Sequence, residues 1–246
     1  LKEYGYTEVN LNLGCPSGTV AAKGKGAGFL KDTEKLARFL GEVSEGMERE
    51  NLHFSIKTRV GVESEEEFQT LLGLYNQCPL TELIIHPRVL KDFYKYNVRM
   101  NAFKEGFEKS RHSVCYNGDI FRRKDYDRLV KEYPDLDKIM MGRGIMMNPF
   151  LMEEIADGTS QKVSGKMSAA RKADRLEKFH RLLCDGYTHV MSGDRPVLFK
   201  MKELWGFLIH SCPEEEKLVK KIRKAQHLAE YEGVVSELFC RMREHE

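Results

Sequence analysis

The chain has 246 residues, a formal net charge of +2, 41% hydrophobic residues and 32% charged residues. This composition is typical of a globular protein with one large domain or two smaller domains. No apolar run approaches the roughly 18 residues that a membrane span requires, and no signal-peptide pattern opens the chain. We therefore expect a protein without a membrane segment, whose mild basicity permits a polyanionic partner without requiring one.

The six cysteines are scattered along the chain, at Cys15, Cys78, Cys115, Cys184, Cys212 and Cys240. No two of them have the Cys-x-x-Cys spacing, which argues against a disulfide framework and against a zinc site. We expect no bound metal ion and a location in the reducing cytoplasm.

Up to about residue 150, short apolar runs alternate with amphipathic stretches. The predicted strands are Val9–Leu13, His53–Thr58, Glu82–His86, Ser113–Asn117 and Lys138–Gly142. Apolar residues at helical spacing lie between them, after start signals such as Asp32 and the capping-box pattern at Ser64. This alternation predicts an α/β fold with parallel strands and crossover helices.

A polar segment at residues 157–167 separates this region from one in which the apolar stripes all have helical spacing. Pro213, followed by acidic residues, is a typical helix start in this second region. We therefore expect a catalytic domain at residues 1–156, a linker at 157–167 and a small all-helical domain at 168–246.

Each predicted strand ends in polar residues or glycine. The ends are Asn12-Leu13-Gly14-Cys15-Pro16, Lys57-Thr58-Arg59, His86-Pro87-Arg88, Asn117-Gly118-Asp119 and Gly142-Arg143-Gly144. In a (β/α) barrel the carboxyl ends of the strands converge on one face, where active sites lie. The glycines after the last two strands let backbone N–H groups approach a phosphate, and Arg143 could add a bidentate contact.

Taken in order, these segments resemble the tRNA-dihydrouridine synthases. The matching runs are N-L-G-C-P, K-T-R-V-G, I-I-H-P-R, N-G-D-I and M-G-R-G-I-M-M-N-P, over roughly residues 1–155. The resemblance implies a (β/α)8 TIM barrel that binds FMN and uses NADPH to reduce uridines of tRNA to dihydrouridine. It extends more weakly to the C-terminal helices, which in the family form an RNA-binding domain.

The resemblance also implies roles for individual residues. Lys57 and His86 would contact the flavin ring, and Cys15 would donate the proton that completes reduction of the uracil. Asn12 and Arg88 would grip the edge of the uracil, which must leave its stack to reach such a pocket. The ribityl phosphate end of FMN would be held by Asn117, Gly118, Asp119, Gly142 and Arg143.

In the helical domain, some of the basic residues are expected to bind tRNA phosphates. They include Arg171, Lys172, Arg175, Lys200, Lys202, Lys220, Lys221, Arg223 and Lys224. The protein is expected to be monomeric when full length.

The chain departs from the family pattern in three places. Asn10 stands where the family commonly has Asp, and Pro87 where it commonly has Gly, a change that could alter the loop beside the uracil. Only about five of eight βα units are present and the chain opens at Leu1, so we expect an N-terminally truncated sequence.

Two other functions remain open from the sequence. One is another FMN-dependent barrel oxidoreductase, similar to dihydroorotate dehydrogenase, although such an enzyme has no evident need of a helical domain. The other is a non-catalytic RNA-binding relative, although the presence of Cys15, Lys57 and His86 argues against it.

Overall fold

The computed structural model describes residues 1–159 and 167–244. The chain forms two compact units. The first comprises Leu1–Asp119 and Arg128–Met141, and the second comprises Ile120–Asp127 and Gly142–Glu246. Residues 160–166, within the predicted linker, lie outside the described residues, and the predicted domain boundaries stay predictions.

Five parallel strands form the sheet of the first unit, in the order in which they occur in the chain. They are β1 (Glu8–Leu13), β2 (His53–Gly61), β3 (Glu82–Val89), β4 (Ser113–Tyr116) and β5 (Lys138–Ile139). The predicted α/β architecture with parallel strands is confirmed. The last strand is shorter than predicted, because only Cys115 and Tyr116 of β4 pair with it.

Four α-helices belong to the first unit: α1 (Gly18–Ala21), α2 (Thr33–Glu50), α3 (Glu67–Tyr75) and α4 (Met100–Lys109). A further helix, α5 (Arg123–Glu132), is divided between the two units after Asp127. The Asp32 carboxylate caps α2 by accepting a hydrogen bond from the Lys35 N–H at 2.9 Å, as the sequence predicts. The Glu67 carboxylate opens α3 by accepting hydrogen bonds from the backbone N–H groups of residues 62–64. A capping bond thus explains where α2 begins, whereas the N-cap of α3 is Glu66, which makes no side-chain capping bond, and not the predicted Ser64.

Alternate residues of the strands form an apolar face that packs against helices. Ile56, Leu83 and Ile85 are fully buried on this face. The ring of Phe103 in α4 packs edge-on against Tyr116 of β4, with 4.8 Å between the ring centroids. Burying each such side chain stabilises the fold by about 1.5–3 kcal/mol. The intervening, mostly polar residues therefore face the other side of the sheet.

Helices build the second unit, as the sequence predicts. They are α6 (Arg143–Met147), α7 (Leu151–Thr159), α8 (Ala169–Val190), α9 (Asp194–Leu208), α10 (Glu216–Lys224) and α11 (Leu228–Glu244). Their core is centred on the fully buried Trp205, Ile222 and Phe239. Among the helices that the structure describes in either unit, none is both long and apolar enough to cross a membrane.

A buried polar network lies in the core of the second unit. The Trp205 Nε1–H donates to Tyr231 Oη at 2.9 Å, and the same oxygen lies within hydrogen-bond distance of His180 Nε2. Because Tyr231 Oη accepts from Trp205, its own O–H is available to donate to His180, whose nitrogen must then carry a lone pair. Burial lowers the pKa of His180 to about 4, so the imidazole is neutral at neutral pH.

This network makes stability depend on pH. The pKa of His180 rises from about 4 in the folded protein to about 6.5 in the unfolded chain. Between these values the unfolded chain binds more protons, so the free energy of unfolding falls as the pH falls. In His180→Gln the new side chain can still accept a hydrogen bond from Tyr231 but does not titrate. Between about pH 7 and about pH 5 the free energy of unfolding of this variant should therefore fall by about 2 kcal/mol less than that of the wild type. Urea unfolding at the two pH values measures this, and equal losses in both proteins would contradict the prediction.

Candidate functional site

One face of the sheet carries polar side chains near the carboxyl ends of the strands. The parallel register places Asn12 of β1 beside Lys57 of β2, and Arg59 beside His86 of β3. Lys57 of β2 pairs with Ile84 of β3, which pairs with Cys115 of β4, so these residues lie side by side across the sheet. Asn117 follows Cys115 by two residues. Since residues two apart in a strand share a face, these five predicted strand-end positions come together. We call them the polar face: Asn12, Lys57, Arg59, His86 and Asn117.

Arg59, to which the sequence assigns no role, is the most connected residue of the polar face. It is 1% exposed, and its guanidinium donates to the carbonyls of Gly14 at 3.0 Å, Val89 at 2.8 Å and Phe93 at 2.8 Å. These acceptors lie just beyond β1, at the end of β3 and in the loop that follows. One side chain therefore fixes the loops around the polar face. The signal in the sequence was an arginine two residues after Lys57, on the same face of the same strand.

His86 is neutral and has a defined tautomer. An arginine N–H can only donate, so the Arg88 Nη1–H donates to His86 Nε2 at 3.2 Å and the proton of the ring lies on Nδ1. Burial lowers the pKa of His86 to about 2, with further contributions from the charges of Arg59, Lys57 and Arg88. His86 therefore has one N–H and no positive charge, and Asn117 is a hydrogen-bond partner of its side chain.

Lys57 is a partly buried cation among other cations. Burial lowers the pKa of its ammonium group, and the charge of Arg59 lowers it further. A negative charge brought to this face would stabilise the protonated lysine. The Lys57 ammonium group, with the buried charge of Arg59 behind it, therefore suits an anionic or electron-rich ligand.

Arg88 and Asp119, which the sequence assigns to different ligands, form an ion pair. The Arg88 guanidinium is 1% exposed and donates from both terminal nitrogens to the Asp119 carboxylate. It also donates to the carbonyl of Tyr96 at 2.7 Å. The two residues therefore position one another and the neighbouring His86, and their predicted ligand contacts stay predictions.

Pro87 lies at an irregularity of the sheet. Between Arg59 and Gly61 of β2 the strand advances two residues, whereas β3 advances three, from His86 to Val89. Such a bulge is a position where a strand tolerates proline, which has no N–H to donate to the ladder.

Asn10, the other departure from the family pattern, lies lower on the sheet. Its Nδ2–H donates to Ser55 Oγ at 2.9 Å, and the Ser55 hydroxyl donates to the Glu8 carboxylate at 2.6 Å. The asparagine is therefore part of a hydrogen-bond chain between β1 and β2.

Cys15 is held beside the polar face by a glycine-rich loop. Its carbonyl accepts a hydrogen bond from the Ala27 N–H at 3.1 Å. Gly26 has a φ of 55°, and a Cβ added to it would lie 2.9 Å from the Cβ of Cys15. A larger residue at position 26 would be strained and would displace the cysteine. Nearby, Asn12 Oδ1 accepts a hydrogen bond from the Gly14 N–H at 3.0 Å, so both ends of this turn are fixed.

The turn after β4 depends on Asn117 and Gly118. The Asn117 Nδ2–H donates to the Met140 carbonyl at 2.8 Å, which joins this turn to the end of β5. A Cβ on Gly118 would lie 2.0 Å from the hydroxyl oxygen of Tyr116. Glycine is therefore required here because the Tyr116 ring fills the space.

The remaining predicted phosphate-binding residues belong to the second unit. Gly142 is exposed and precedes α6, and a Cβ on it would meet no atom within 4 Å. Arg143, the first residue of α6, places its guanidinium 5.4 Å from the centroid of the Phe121 ring. Their predicted contact with a flavin phosphate stays a prediction. Within residues 1–159 and 167–244, no group of three or more His, Cys, Asp or Glu residues could hold a metal ion.

Comparison with known proteins gives consistent results. The family model for dihydrouridine synthase (Dus) matches residues 1–239. A protein of Staphylococcus epidermidis named "Probable tRNA-dihydrouridine synthase" is 31% identical over 191 residues, 73% of this chain and 57% of that protein. The "Probable tRNA-dihydrouridine synthase 2" of Bacillus subtilis is 31% identical over 160 residues, 63% of this chain and 47% of that protein. The chain thus spans about half the length of the curated relatives it matches.

The connections of Arg59 predict a large effect of a conservative substitution. In Arg59→Lys the charge remains, but one ammonium group cannot reach three separate carbonyls, so two are left without a donor. Each unpaired buried acceptor costs about 1–3 kcal/mol, and we expect the free energy of unfolding to fall by roughly 2 to 6 kcal/mol. The control is Arg38→Lys on the exposed side of α2, which should change it by less than about 0.5 kcal/mol. Equal effects of the two substitutions in urea unfolding would refute this role of Arg59.

Proposed function

Since this chain belongs to the dihydrouridine synthase (Dus) family, we propose that it forms part of an FMN-dependent enzyme that reduces uridine in tRNA to dihydrouridine. NADPH is the proposed source of electrons. The names of the relatives favour this function over a dihydroorotate dehydrogenase-like reaction and over RNA binding without catalysis.

The observation that carries the proposal is the polar face with Cys15 beside it. Lys57 supplies a partly buried cation and His86 a neutral N–H donor, both of which suit the electron-rich edge of a flavin ring. Arg88 neutralises Asp119, so this carboxylate does not repel an anionic ligand. The proposed contacts of Asn117 and Gly118 lie at the adjoining turn, and those of Gly142 and Arg143 lie in the second unit.

Reduction of the uracil double bond requires a hydride at one carbon and a proton at the other. When bound, FMN supplies the hydride chemistry. The proposed proton donor is the thiol of Cys15, because an S–H group placed beside the substrate can act as a general acid. The loop that fixes Cys15 through Ala27 and Gly26 gives this thiol a defined position. Asn12, whose Oδ1 is engaged by Gly14, has its amide N–H groups to offer to a uracil carbonyl.

The proposed binding of tRNA is supported by helix α10. Its buried side is formed by Leu218, Val219 and Ile222. Its exposed basic residues are Lys217, Lys220, Lys221, Arg223 and Lys224. Such a concentration of positive charge on one short helix suits a phosphate backbone.

Several other basic residues of this unit have partners within the protein. Arg175 pairs with Glu153, Lys200 pairs with Glu203 at 3.1 Å, and Lys202 donates to the carbonyl that follows α10. Within α10, Lys220 likewise pairs with Glu216 at 2.8 Å, so we place the phosphate contacts on the other basic residues of α10 rather than on Lys200 and Lys202.

Replacement of the thiol tests the proposed chemistry. In the full-length natural protein, Cys15→Ala should keep its flavin and still oxidise NADPH. Its rate of dihydrouridine formation should fall by roughly 10²- to 10⁴-fold, because the proton donor is lost. Cys240→Ala, which removes an exposed thiol from α11, is the matched control and should form dihydrouridine at the wild-type rate. A Cys15→Ala enzyme with nearly wild-type turnover would remove Cys15 from the mechanism.

Charge reversal tests the proposed phosphate contacts. Lys221→Glu combined with Lys224→Glu should weaken binding of an unmodified tRNA transcript. Binding measured over a range of salt concentrations should show a slope of log K against log salt that is smaller by about 2, one for each lost phosphate contact. The control, Lys31→Glu with Lys35→Glu in the first unit, changes the net charge equally. If both double variants weaken binding to the same extent, α10 has no specific role.

A further inference from the structure

Three aromatic side chains lie on the surface in the segment that follows β3. Phe93, Tyr94 and Tyr96 are 45%, 49% and 63% exposed, and Lys95 between the last two is also exposed. We call residues 93–96 the aromatic loop. Three large rings exposed within four residues leave a concentrated apolar surface in water, which is typical of a binding site.

Buried charged groups hold the backbone of the aromatic loop. Arg59 donates to the carbonyl of Phe93 at 2.8 Å, and Arg88 donates to the carbonyl of Tyr96 at 2.7 Å. Phe93 has a φ of 48°, a conformation that is strained for a bulky residue and persists only where surrounding contacts enforce it. Two buried cations and a strained residue thus keep these rings at the surface.

Asp92, which precedes the loop, is a further anchor. Its carboxylate accepts hydrogen bonds from the Val89 N–H at 3.0 Å and from Arg99 at 2.9 and 3.0 Å. Burial alone would raise the pKa of Asp92, but these hydrogen bonds hold it below its usual value. The carboxylate therefore stays charged and continues to accept these bonds at neutral pH.

The aromatic loop adjoins the polar face. The Tyr94 ring lies edge-on to the His86 ring, with 6.0 Å between centroids, and 5.2 Å from the guanidinium carbon of Arg59. Aromatic and basic side chains together suit single-stranded nucleic acid, because bases stack on the rings and lysine attracts the phosphates. The order Phe-Tyr-Lys-Tyr provides both.

We propose that the aromatic loop is a stacking platform for unpaired nucleotides that flank the uridine entering the site. The inference rests on the proposed function, which makes RNA the substrate. A uridine that leaves its stack deprives its neighbours of a stacking partner. The exposed rings of Phe93 and Tyr96 replace that partner, while Tyr94 remains packed beside His86.

The test compares variants of Tyr96 in the full-length natural protein. Tyr96→Ala should raise the Kd for an unmodified tRNA transcript on the order of 10-fold, the effect expected from losing one stacked base. Tyr96→Phe keeps the ring and should restore wild-type affinity. The slope of log K against log salt should be the same in all three proteins, because stacking neutralises no phosphate. Tyr4→Ala, at an 80% exposed tyrosine before β1, is the matched control and should bind normally.

The outcomes separate the two proposals. If the wild type forms dihydrouridine but Tyr96→Ala combined with Phe93→Ala binds tRNA normally, the platform is wrong and the proposed function stands. If Tyr96→Phe is as weak as Tyr96→Ala, the phenol hydroxyl rather than stacking is responsible, and the platform is again wrong. If the wild type neither binds tRNA nor forms dihydrouridine, the proposed function and the platform both fall.

Discussion

The buried guanidinium of Arg59 is the interaction on which the rest of the polar face depends. It carries a full charge at 1% exposure and hydrogen-bonds to three backbone carbonyls. Taking such a charge out of water costs several kcal/mol unless hydrogen bonds and nearby groups compensate. The carbonyls and the Tyr94 ring supply that compensation only when the segments around Gly14, Val89 and Phe93 all have their native positions. Loss of any one segment would therefore weaken the others, so the arginine couples Cys15, the end of β3 and the aromatic loop.

The same charge sets the electrostatics of its neighbours. It lowers the pKa values of Lys57 and His86 in addition to the effect of burial. A neutral His86 and a destabilised Lys57 cation leave the polar face with unfavourable repulsion among cations, which Asp119 offsets at Arg88 and Asp92 offsets at Arg59. An anionic or electron-rich ligand relieves this repulsion, and a ligand that binds only the folded state stabilises it. The polar face is thus less stable alone than with such a ligand.

Much of this arrangement follows from sequence patterns with short periods. The alternation of side chains along β2 and β3 is enough to place Lys57 and His86 on one face, and Asp32 marks the start of α2 because its capping bond is local. The bonds of Arg59 span 30 to 45 residues, and no local pattern reveals them. The ion pair of Arg88 and Asp119 joins residues 31 positions apart, and no local pattern reveals it either. The strain at Phe93 also depends on tertiary contacts, since its sequence alone favours an ordinary conformation.

The proposal of Cys15 as proton donor agrees with which other groups at this site can release a proton. His86 is neutral, and its remaining N–H donates a hydrogen bond but is far too weak an acid to protonate a carbon. Arg59 and Arg88 remain charged and are engaged by carbonyls and by Asp119. The thiol of Cys115 is buried and its pKa is raised to about 11, which makes it a poor acid. Lys57 could release a proton, but the positive charge that suits an electron-rich ligand would then be lost at the moment it is needed. Cys15 can lose its proton without removing a cation from the polar face, and for that reason the proposed mechanism gives the thiol and the ammonium group separate tasks.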